Sequence, residues 1–548
     1  MTTKTMRLAI ACALASPGLH ATAASFGNDK FDVSLSSTLS LGTGIRTGNP
    51  SCGLVLAGAT GVGAPVGCLA PASTMGDQGN LNYAKGDAFT TYLKGVHELL
   101  IKMPDESITF MTRVAWARDF TATHTTGFTS VASPPPPTVV DGLSDAARSD
   151  LRFKARVLDL WVSKAFDVGD QRARVRVGNQ VVTWGEGLFI AGGINAVNAM
   201  DLLKLSQPGT QLKEAILPAP MISVATGLGG GVNLETYVQT RWRANYLPPT
   251  GSYWSTANGL GKGDTAYGLA TDRARNGGQW GATLRYQPDG TQLNLGLYAM
   301  NYHDKGPSFS TNIRGTGVTG WAFAEDRKLF GLSANFPLGD WAVGMETSYR
   351  PRDTVALNSV FGCQSQRGNC WVDSRKIQSA VTGMYSATPN NAKGMLDFLH
   401  ASTATLMVEA VAIQYPSLHQ RYGSDPISAG GWGWGQETSA LGTPRPEGTK
   451  QSYGYNFDFS WVSDGNLIPG WQVVPEIYFF HAVKGRTPNI AATFMEGAKS
   501  ANFTITLIQN PANWQVAVNY AKFWGGKSVF DQPLRDRNFV GLTISRNL

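Results

Sequence analysis

The chain has 548 residues, and its 46 lysines and arginines exceed its 39 acidic residues to give a net charge of +7. This mild excess is not gathered into a basic cluster, so the composition does not predict a nucleic-acid-binding protein. Beyond residue 23 no stretch of about 18 apolar residues occurs, which excludes a transmembrane helix from the predicted architecture.

The first 23 residues have the pattern of a secretory signal peptide. Lys4 and Arg7 precede an apolar run at 8–14, and a small-x-small cleavage site ends at Ala23. Removal of this segment takes away two positive charges, so residues 24–548 carry 44 − 39 = +5. We therefore expect residues 24–548 to leave the cytoplasm and to fold as one domain.

Short segments in which every second residue is apolar recur from about residue 31 to residue 548. In 232–243, valine, leucine, threonine and tryptophan alternate with asparagine, glutamate, tyrosine, glutamine and arginine. Such strands separate an apolar phase from a wet, charged one, which favours a membrane barrel over a soluble sandwich. The pattern predicts eighteen strands, or sixteen if the weak segment 376–403 is unpaired. The eighteen are 31–47, 88–103, 107–120, 154–167, 171–185, 220–227, 232–245, 278–287, 291–303, 328–337, 341–351, 376–387, 404–415, 451–463, 471–484, 501–509, 514–525 and 538–548.

The predicted connections alternate between tight turns and long loops. The turns carry glycine, proline and aspartate, as at 288–290 and 337–340, and 388–403 is the one longer exception. Tight periplasmic turns, long outer loops and an even strand number that leaves both termini in the periplasm are typical of bacterial outer-membrane barrels. We therefore predict an all-β fold, a transmembrane antiparallel β-barrel in the Gram-negative outer membrane.

Aromatic residues are expected at the two membrane interfaces. Seven tryptophans fall near predicted strand ends on the outward face, where an interfacial belt would lie. The segment 539–548 resembles the last strand that the barrel-assembly machinery recognises, so that machinery is an expected partner. The seven tryptophans are Trp116, Trp242, Trp280, Trp341, Trp461, Trp471 and Trp514.

Four cysteines follow residue 23, and they form two local pairs in loop-like stretches. In an oxidising compartment this spacing favours two loop disulfides, Cys52 with Cys68 and Cys363 with Cys370. The six histidines after residue 23 are scattered, so no metal site is predicted. No cofactor is expected.

Residues 185–220 abandon the alternation and are rich in large apolar side chains. Asn198 is a fair N-cap, Asp201 falls in the first turn of the helix that follows, and 208–209, a proline and a glycine, end it; a second short helix is predicted at 211–217. Because so apolar a segment would not lie free in water, this third long connection is predicted to fold into the lumen and narrow it. It either gates a substrate path or only plugs and stiffens the barrel. Its predicted lumen or substrate-path residues are Trp184, Glu186, Asn195, Asn198, Asp201, Lys213 and Glu214.

Arg172, Arg174 and Arg176 share one face of the fifth predicted strand. With nearest-neighbour pairing they lie across from Asp159 on the fourth strand and near Arg113 on the third. A row of arginines at every second position is either a ladder of structural ion pairs or an electropositive path for anionic groups. In both alternatives these five residues line the lumen.

Several strings resemble a proteobacterial, pseudomonad-type outer-membrane β-barrel family that is catalogued as a domain of unknown function. The resemblance implies a large single-chain barrel. It also implies gene neighbours that encode resistance-nodulation-division exporters, a lipoprotein-carrier-like periplasmic protein and catabolic enzymes for hydrophobic compounds. Such neighbours suggest traffic of apolar or amphipathic molecules, with the exporter and the carrier-like protein as partners. The strings are GNLNYAKGD at 79–87, GNQVVTWGE at 178–186, GGIN at 192–195 with Asn198 and Asp201, and Pro208-Gly209 with LKE at 212–214.

The leading hypothesis for the function is a channel or carrier that moves a hydrophobic or amphipathic small molecule across the outer membrane. The first alternative is a general or anion-preferring diffusion porin. The second is an outer-membrane enzyme of the lipase type, which needs a serine and a histidine on neighbouring strands. No serine lies near a histidine with a third partner, and neither His97 nor His481 faces a nucleophile, so no enzymatic activity is predicted.

Overall fold

The computed structural model describes residues 24–548 apart from 29, 52–53, 55–76, 126–128, 133–137, 258, 359–362 and 431–446. The predicted signal peptide, 1–23, lies outside the described residues.

The long strands form one antiparallel sheet in which each strand pairs with the next along the chain. The sheet closes because the last strand pairs with the first, from Thr38 opposite Asn547 to Arg46 opposite Phe539. The result is a closed barrel of eighteen strands, as the alternation predicts, and the sixteen-strand alternative is excluded. A nineteenth strand of the sheet, Ala24–Asn28, is short and pairs beside the start of the first barrel strand.

The barrel strands are β1 Phe31–Arg46, β2 Ala88–Met103, β3 Ile108–Asp119, β4 Phe153–Val168, β5 Gln171–Gln180, β6 Ala219–Gly229, β7 Val232–Gln239, β8 Gln279–Tyr286, β9 Asn294–Tyr302, β10 Arg327–Leu338, β11 Trp341–Ala356, β12 Trp371–Ala387, β13 Thr403–Gln414, β14 Gln451–Ile468, β15 Trp471–Lys484, β16 Ala498–Gln509, β17 Trp514–Gly525 and β18 Phe539–Asn547.

The connections hold short elements. The α-helices are α1 Asp145–Arg152, α2 Leu202–Ser206, α3 Leu212–Ala215 and α4 Lys393–Leu399. No helix in the described part of the chain is long and apolar enough to cross a membrane. Short strands lie at Thr129–Ala132, Thr138–Asp141, Ala199–Met200, Ile216–Leu217, Ala270–Asp272, Ser308–Ser310, Gly320–Ala322, Arg421–Tyr422 and Asp425–Pro426, and 3-10 turns at Gln78–Asn82, Gly193–Val197, Asp264–Tyr267, Ile313–Gly315, Gln364–Gln366 and Val529–Asp531.

Side chains alternate between the lumen and the outer surface along the barrel strands. On β9, Tyr298 is buried on the lumen side, whereas its neighbour Leu297 is 55% exposed on the outer side. A closed ring with an apolar outer face leaves no unpaired backbone edge in lipid, and this is the construction of an outer-membrane protein. Other exposed outward side chains are Val162, Val177, Ile222, Val238, Leu284, Phe330, Leu332, Val381, Phe503, Ile505, Val518 and Val540.

Two strands end earlier than the alternation predicts. The strand predicted at 171–185 ends at Gln180, and the strand predicted at 232–245 ends at Gln239. In both cases the chain leaves the wall. Val182 and Trp184 are then buried against lumen-facing side chains such as Tyr237 and Tyr298, and Trp242 is buried against a residue of another connection, Phe323.

Trp242 is the one predicted belt residue that the structure contradicts. It follows the end of β7, is 5% exposed, and its ring lies 4.7 Å from that of Phe323. Its indole N–H donates to the carbonyl of Asp304 at 3.2 Å. The other six tryptophans occupy outward positions of barrel strands, and Trp341, for example, opens β11.

The weak segment 376–403 contains most of β12, the helix α4 and the first residue of β13. Its connection is longer than the other periplasmic turns because α4 is built into it. The helix therefore explains why the alternation fades there although both strands are paired.

The long connections pack against one another at the extracellular end of the barrel. The guanidinium of Arg537, fully buried, pairs with Asp77 at 2.5 Å and with Asp536 at 2.8 Å, and Arg46 pairs with Asp536 at 3.3 Å. Arg537 also donates to the carbonyl of Tyr253 at 2.6 Å. Burial raises the pKa of Asp77 to about 6, against the opposing attraction of Arg537. This cluster joins three long connections into one cap.

The disulfide Cys363–Cys370 is present in the connection between β11 and β12. The predicted pair Cys52 and Cys68 lies outside the described residues.

We expect a membrane-impermeant thiol reagent to leave Cys363 and Cys370 unmodified on intact cells, and to modify both only after reduction and unfolding, as read by mass spectrometry of the peptides. Modification of either cysteine without reduction would contradict the disulfide in the native protein.

Candidate functional site

The connection between β5 and β6 crosses the inside of the barrel. Residues 181–218, here called the lumen insert, contain α2 and α3. The insert contacts inward-facing side chains on distant parts of the wall, from Glu409 on β13 to Lys94 on β2. The predicted folding of this segment into the lumen is therefore confirmed, and the insert divides the lumen.

Two buried glutamates of the wall hold the first half of the insert by its backbone. Glu346 lies on β11 and Glu409 on β13, and their side chains point into the lumen. A hydrogen bond to a charged group contributes about 1.5–3 kcal/mol, so six such bonds hold a segment that has little regular structure of its own. The N–H donors to Glu346 are Glu186 at 2.7 Å, Gly187 at 3.2 Å and Ile194 at 3.1 Å, and those to Glu409 are Leu188 at 3.0 Å, Phe189 at 2.9 Å and Ile190 at 2.7 Å.

Glycines are required where these carboxylates approach the insert. Gly193 has a φ of +59°, and a Cβ there would lie 2.0 Å from a carboxylate oxygen of Glu346. On the wall, a Cβ at Gly344 would lie 2.5 Å from the hydroxyl of Thr382 and 3.2 Å from the Cβ of Glu186. The backbone of 186–194 therefore presents six N–H groups to two anionic side chains, and Gly193 leaves room for one of them.

Lys94 on β2 anchors the second half of the insert. Its ammonium donates to both carboxylate oxygens of Glu214, at 2.8 and 3.0 Å, and to the carbonyl of Gly209 at 2.8 Å. The Tyr92 hydroxyl donates to the carbonyl of Pro208 at 2.6 Å. Because both charged side chains are only 4% exposed, removal of one partner would leave a buried charge and destabilise the site by about 3–5 kcal/mol.

Asp201, rather than Asn198, caps α2. Its carboxylate accepts the N–H of Lys204 at 2.8 Å and forms an ion pair with Arg156 on β4. Asn198 is extended, and its side-chain amide bonds both backbone groups of Val182, donating to O at 2.6 Å and accepting from N at 3.2 Å. The predicted N-cap at Asn198 is wrong because this side chain closes the base of the insert instead.

Trp184, Glu186 and Asn195 are parts of the insert and not of the barrel wall. Trp184 is 2% exposed, and its ring lies 5.2 Å from that of Tyr237. Glu186 accepts from the side-chain amide of Asn335 at 3.0 Å, and Asn195 accepts a backbone N–H of the insert at 3.0 Å. Trp184 falls within the strand predicted at 171–185, but β5 ends at Gln180, so both Trp184 and Glu186 lie in the connection that follows it.

Arg113, Asp159 and Lys213 are linked through Glu98. Arg113 lies 2.5 Å from Asp159 and 3.4 Å from Glu98, and Lys213 pairs with the same Glu98 carboxylate. Lys213 belongs to α3, so this chain of charges ties the insert to β2, β3 and β4. For Arg113 and Asp159, the structure shows the alternative of structural pairing.

Arg174 and Arg176 differ from Arg113. Among the described residues, no carboxylate lies within 4.0 Å of either guanidinium. Arg176 instead stacks on Trp161, with its central carbon 4.1 Å from the ring centroid. Arg172, at the periplasmic rim, has a side chain that is 65% exposed and lies 3.9 Å from Asp167. In the described part of the chain, Arg174 and Arg176 thus form no direct ion pair, and the carboxylate that lines the same cavities is Glu235.

Two adjoining cavities lie beside this row, with volumes of about 440 and 300 Å³. Both are lined by Arg174, Glu235 and Arg285, and Arg176 lines the second. On the other side of the ring, Asp458 on β14 and Glu476 on β15 face the lumen. Since β14 lies nine strands from β5 in a ring of eighteen, the lumen has a basic wall opposite an acidic one.

Another cavity, of about 480 Å³, lies between the insert and the wall formed by β15–β18, β1 and β2. Glu476 lies in this wall, but most of its lining is uncharged. Small polar side chains line the barrel side, and large apolar ones line the extracellular end. The polar side includes Ser40, Asn502, Thr504, Asn519 and Thr543, and the apolar end Leu205, Trp254, Phe523, Leu534 and Phe539.

Sequence reasoning did not single out Glu346, Glu409, Lys94 and Glu98. The alternation places Glu346 and Glu409 on the inward face of their strands, which is the available signal, but it does not indicate which partner a lone carboxylate meets. No cluster of three metal-ligating side chains occurs in the described part of the chain.

A family model described as "Protein of unknown function (DUF1302)" matches residues 4–548. Comparison with curated proteins gives no match. Similar solved structures include OpdK of Pseudomonas aeruginosa with vanillate, which is 9% identical with a TM-score of 0.41 and coverage of 94% of this chain and 98% of that chain. OccAB3 of Acinetobacter baumannii is 8% identical with a TM-score of 0.42 over 94% and 99% of the two chains. OccK2 (OpdF) of Pseudomonas aeruginosa in complex with glucuronate is 10% identical with a TM-score of 0.39 over 94% and 98%.

Proposed function

We propose that this chain, which belongs to the DUF1302 family of proteins of unknown function, is an outer-membrane channel for an amphipathic small molecule. The observation that carries the proposal is the cavity of about 480 Å³ between the lumen insert and the wall of β15–β18, β1 and β2. The insert narrows the lumen and leaves this space beside it. A solute that crosses the barrel on this side must pass between the insert and a polar wall.

The lining of the cavity favours a molecule with one apolar and one polar part. Its volume lies within the range of about 300–1,000 Å³ that small-molecule sites occupy. Leu205, Trp254 and Phe539 offer apolar surface at the extracellular end. Hydroxyl and amide groups such as those of Thr504 and Asn519 offer hydrogen bonds along the barrel side. A purely polar solute would make no favourable apolar contact with Leu205, Trp254 and Phe539.

The second candidate function is an anion-preferring diffusion porin. The observation that favours it is the row at Arg174 and Arg176, because neither arginine has a carboxylate within 4.0 Å among the described residues. Unpaired guanidinium groups in a narrow lumen attract anions and raise their local concentration. The two functions are compatible if the polar part of the substrate is anionic.

The test of the amphipathic substrate is block of single-channel current in planar bilayers by a series of alkyl alcohols. If the apolar end of the cavity binds the alkyl chain, block should strengthen with each added methylene, by up to about 0.8 kcal/mol or about fourfold in affinity. Replacing Leu205, which lines the cavity and is 44% exposed, by glutamine should weaken the block by long alcohols and leave the open-channel current intact.

The matched control is Leu212→Gln. Leu212 is also an insert leucine and is 55% exposed, but it does not line the cavity. Block that is independent of chain length, or that weakens equally in Leu205→Gln and Leu212→Gln, would contradict an amphipathic substrate at this cavity. Absence of any current from the folded protein would contradict the channel itself.

A further inference from the structure

The helix α4 lies on the outer surface of the barrel at its periplasmic rim. Leu396, its one buried side chain, packs with Ala387 and Ala404 at the ends of the flanking strands, and with the rings of Phe459 and Trp461. On β14 the lumen-facing positions are even-numbered, because Asn456 lies directly opposite Glu409. Phe459 and Trp461 are therefore on the outer face, and so is the helix that covers them.

The helix presents apolar surface that no other part of the described chain covers. Phe398 is 82% exposed, the highest value among the large apolar side chains described, and Met395 is 37% exposed. At about 100° per residue, Met395, Leu396, Phe398 and Leu399 form one continuous apolar arc. The polar side chains of this helix lie on the remaining arc, where Asp397 is exposed.

The rings beneath and beside the helix belong to the outward-facing aromatic belt. Trp341 and Tyr385 lie 5.3 Å apart, and Phe459 and Trp461 lie 5.4 Å apart, measured between ring centroids. Outward aromatic side chains at strand ends mark the level of the lipid head groups. The apolar arc of α4 is thus continuous with a surface that already faces lipid.

We infer that α4 is an interfacial anchor whose apolar arc, carried by Phe398 and Met395, lies in the inner leaflet of the outer membrane. The occupant of this surface is the boundary between phospholipid head groups and acyl chains. An amphipathic helix in this position lies in the plane of the membrane with its apolar side buried and its polar side in water. The anchor fixes the depth of the barrel on the side of β12 and β13, and it does not depend on whether the lumen conducts.

The test uses a nitroxide label on the full chain reconstituted in phosphatidylethanolamine–phosphatidylglycerol vesicles. Cysteine is introduced at 398 in a background in which Cys52 and Cys68 are replaced by serine, since Cys363 and Cys370 are joined to each other. Accessibility to molecular oxygen, which concentrates in lipid, is compared with accessibility to a water-soluble nickel chelate. The matched control is the same label at 397, one residue away on the polar side of the helix.

The oxygen-to-nickel accessibility ratio is expected to be several-fold higher at 398 than at 397, and a label at 395 should behave like one at 398. Equal ratios at 397 and 398 would overturn the inference, because Phe398 would then face water. Shielding of position 398 from both reagents would also overturn it, because the surface would then be covered by protein, such as a second copy or a periplasmic partner.

Discussion

Replacing Glu346 and Glu409 together by glutamine is expected to raise the single-channel conductance several-fold in planar bilayers. The two carboxylates accept six backbone N–H groups from residues 186–194 and have no other role visible in the structure. A glutamine presents an NH₂ group to some of these donors and carries no charge, so several charge-assisted bonds of about 1.5–3 kcal/mol each are lost. The first half of the insert should then leave its position across the lumen.

The control for this variant is Glu235→Gln. Glu235 also faces the lumen, and it lines both cavities beside the arginine row, but among the described residues it makes no hydrogen bond to the insert. Conductance should stay within the wild-type range in this control.

Deletion of residues 192–209 should open the lumen further than the double variant does, and should reduce rather than raise the passage of an amphipathic solute that the insert helps to bind.

Unchanged conductance in the double glutamine variant, with the barrel still heat-modifiable on gels, would show that the backbone of 186–194 does not depend on the two carboxylates. Unchanged conductance in the deletion as well would place the constriction outside the insert. It would then have to be sought in the cap that Arg537 holds together with Asp77 at 2.5 Å.

The fold could be predicted from the sequence because alternate residues of a barrel strand face lipid and the aqueous lumen, and their polarity differs accordingly. In residues 232–239 each outward position meets lipid and each inward position meets the lumen, so the local sequence is enough to indicate a strand and the side that each residue faces. The prediction failed where a residue leaves this rule. Trp242 has the side chain of an outward belt residue, yet the chain has already left the wall and buries the ring against Phe323.

The candidate site could be predicted only in part. The departure of 185–220 from the alternation correctly indicated a lumen segment, because its large apolar residues require cover. The contacts that fix it are non-local, however: Glu346 lies more than 150 residues from its partners along the chain. The N-cap prediction at Asn198 failed for the same reason. Asparagine is a suitable N-cap residue, but in the fold the side-chain amide of Asn198 donates to the carbonyl of Val182.

The lumen charges that do not form ion pairs between the insert and the wall are unevenly distributed around the barrel. Insert residues Asp201, Lys213 and Glu214 are used in ion pairs with the wall. Arg174 and Arg176 are not, and they stand opposite the acidic wall of β14 and β15. A narrow lumen with low-dielectric walls strengthens the electrostatic field of these side chains. We therefore expect these two arginines to influence the selectivity of the channel for anions over cations.

Replacing Arg174 and Arg176 by glutamine is therefore expected to lower the anion preference of the channel, seen as a shift of the reversal potential toward cation selectivity in a potassium chloride gradient. Arg285 would then be the basic side chain left beside both cavities of the arginine row, opposite Asp458 and Glu476. Extending the change to Arg172 should add little, because that side chain is 65% exposed at the rim and lies 3.9 Å from Asp167. The effect should fade at high salt, where the Debye length falls to about 3 Å at 1 M.

The matched control replaces two basic residues on the outer face, Lys328 and Arg375, by glutamine. Both are exposed and occupy outward positions of β10 and β12, so the net charge changes equally while the lumen does not. The control should keep the wild-type reversal potential. If the variant at 174 and 176 folds and also keeps it, the arginine row lies outside the conduction path, and ions cross on the side of the cavity of about 480 Å³, whose wall carries Glu476.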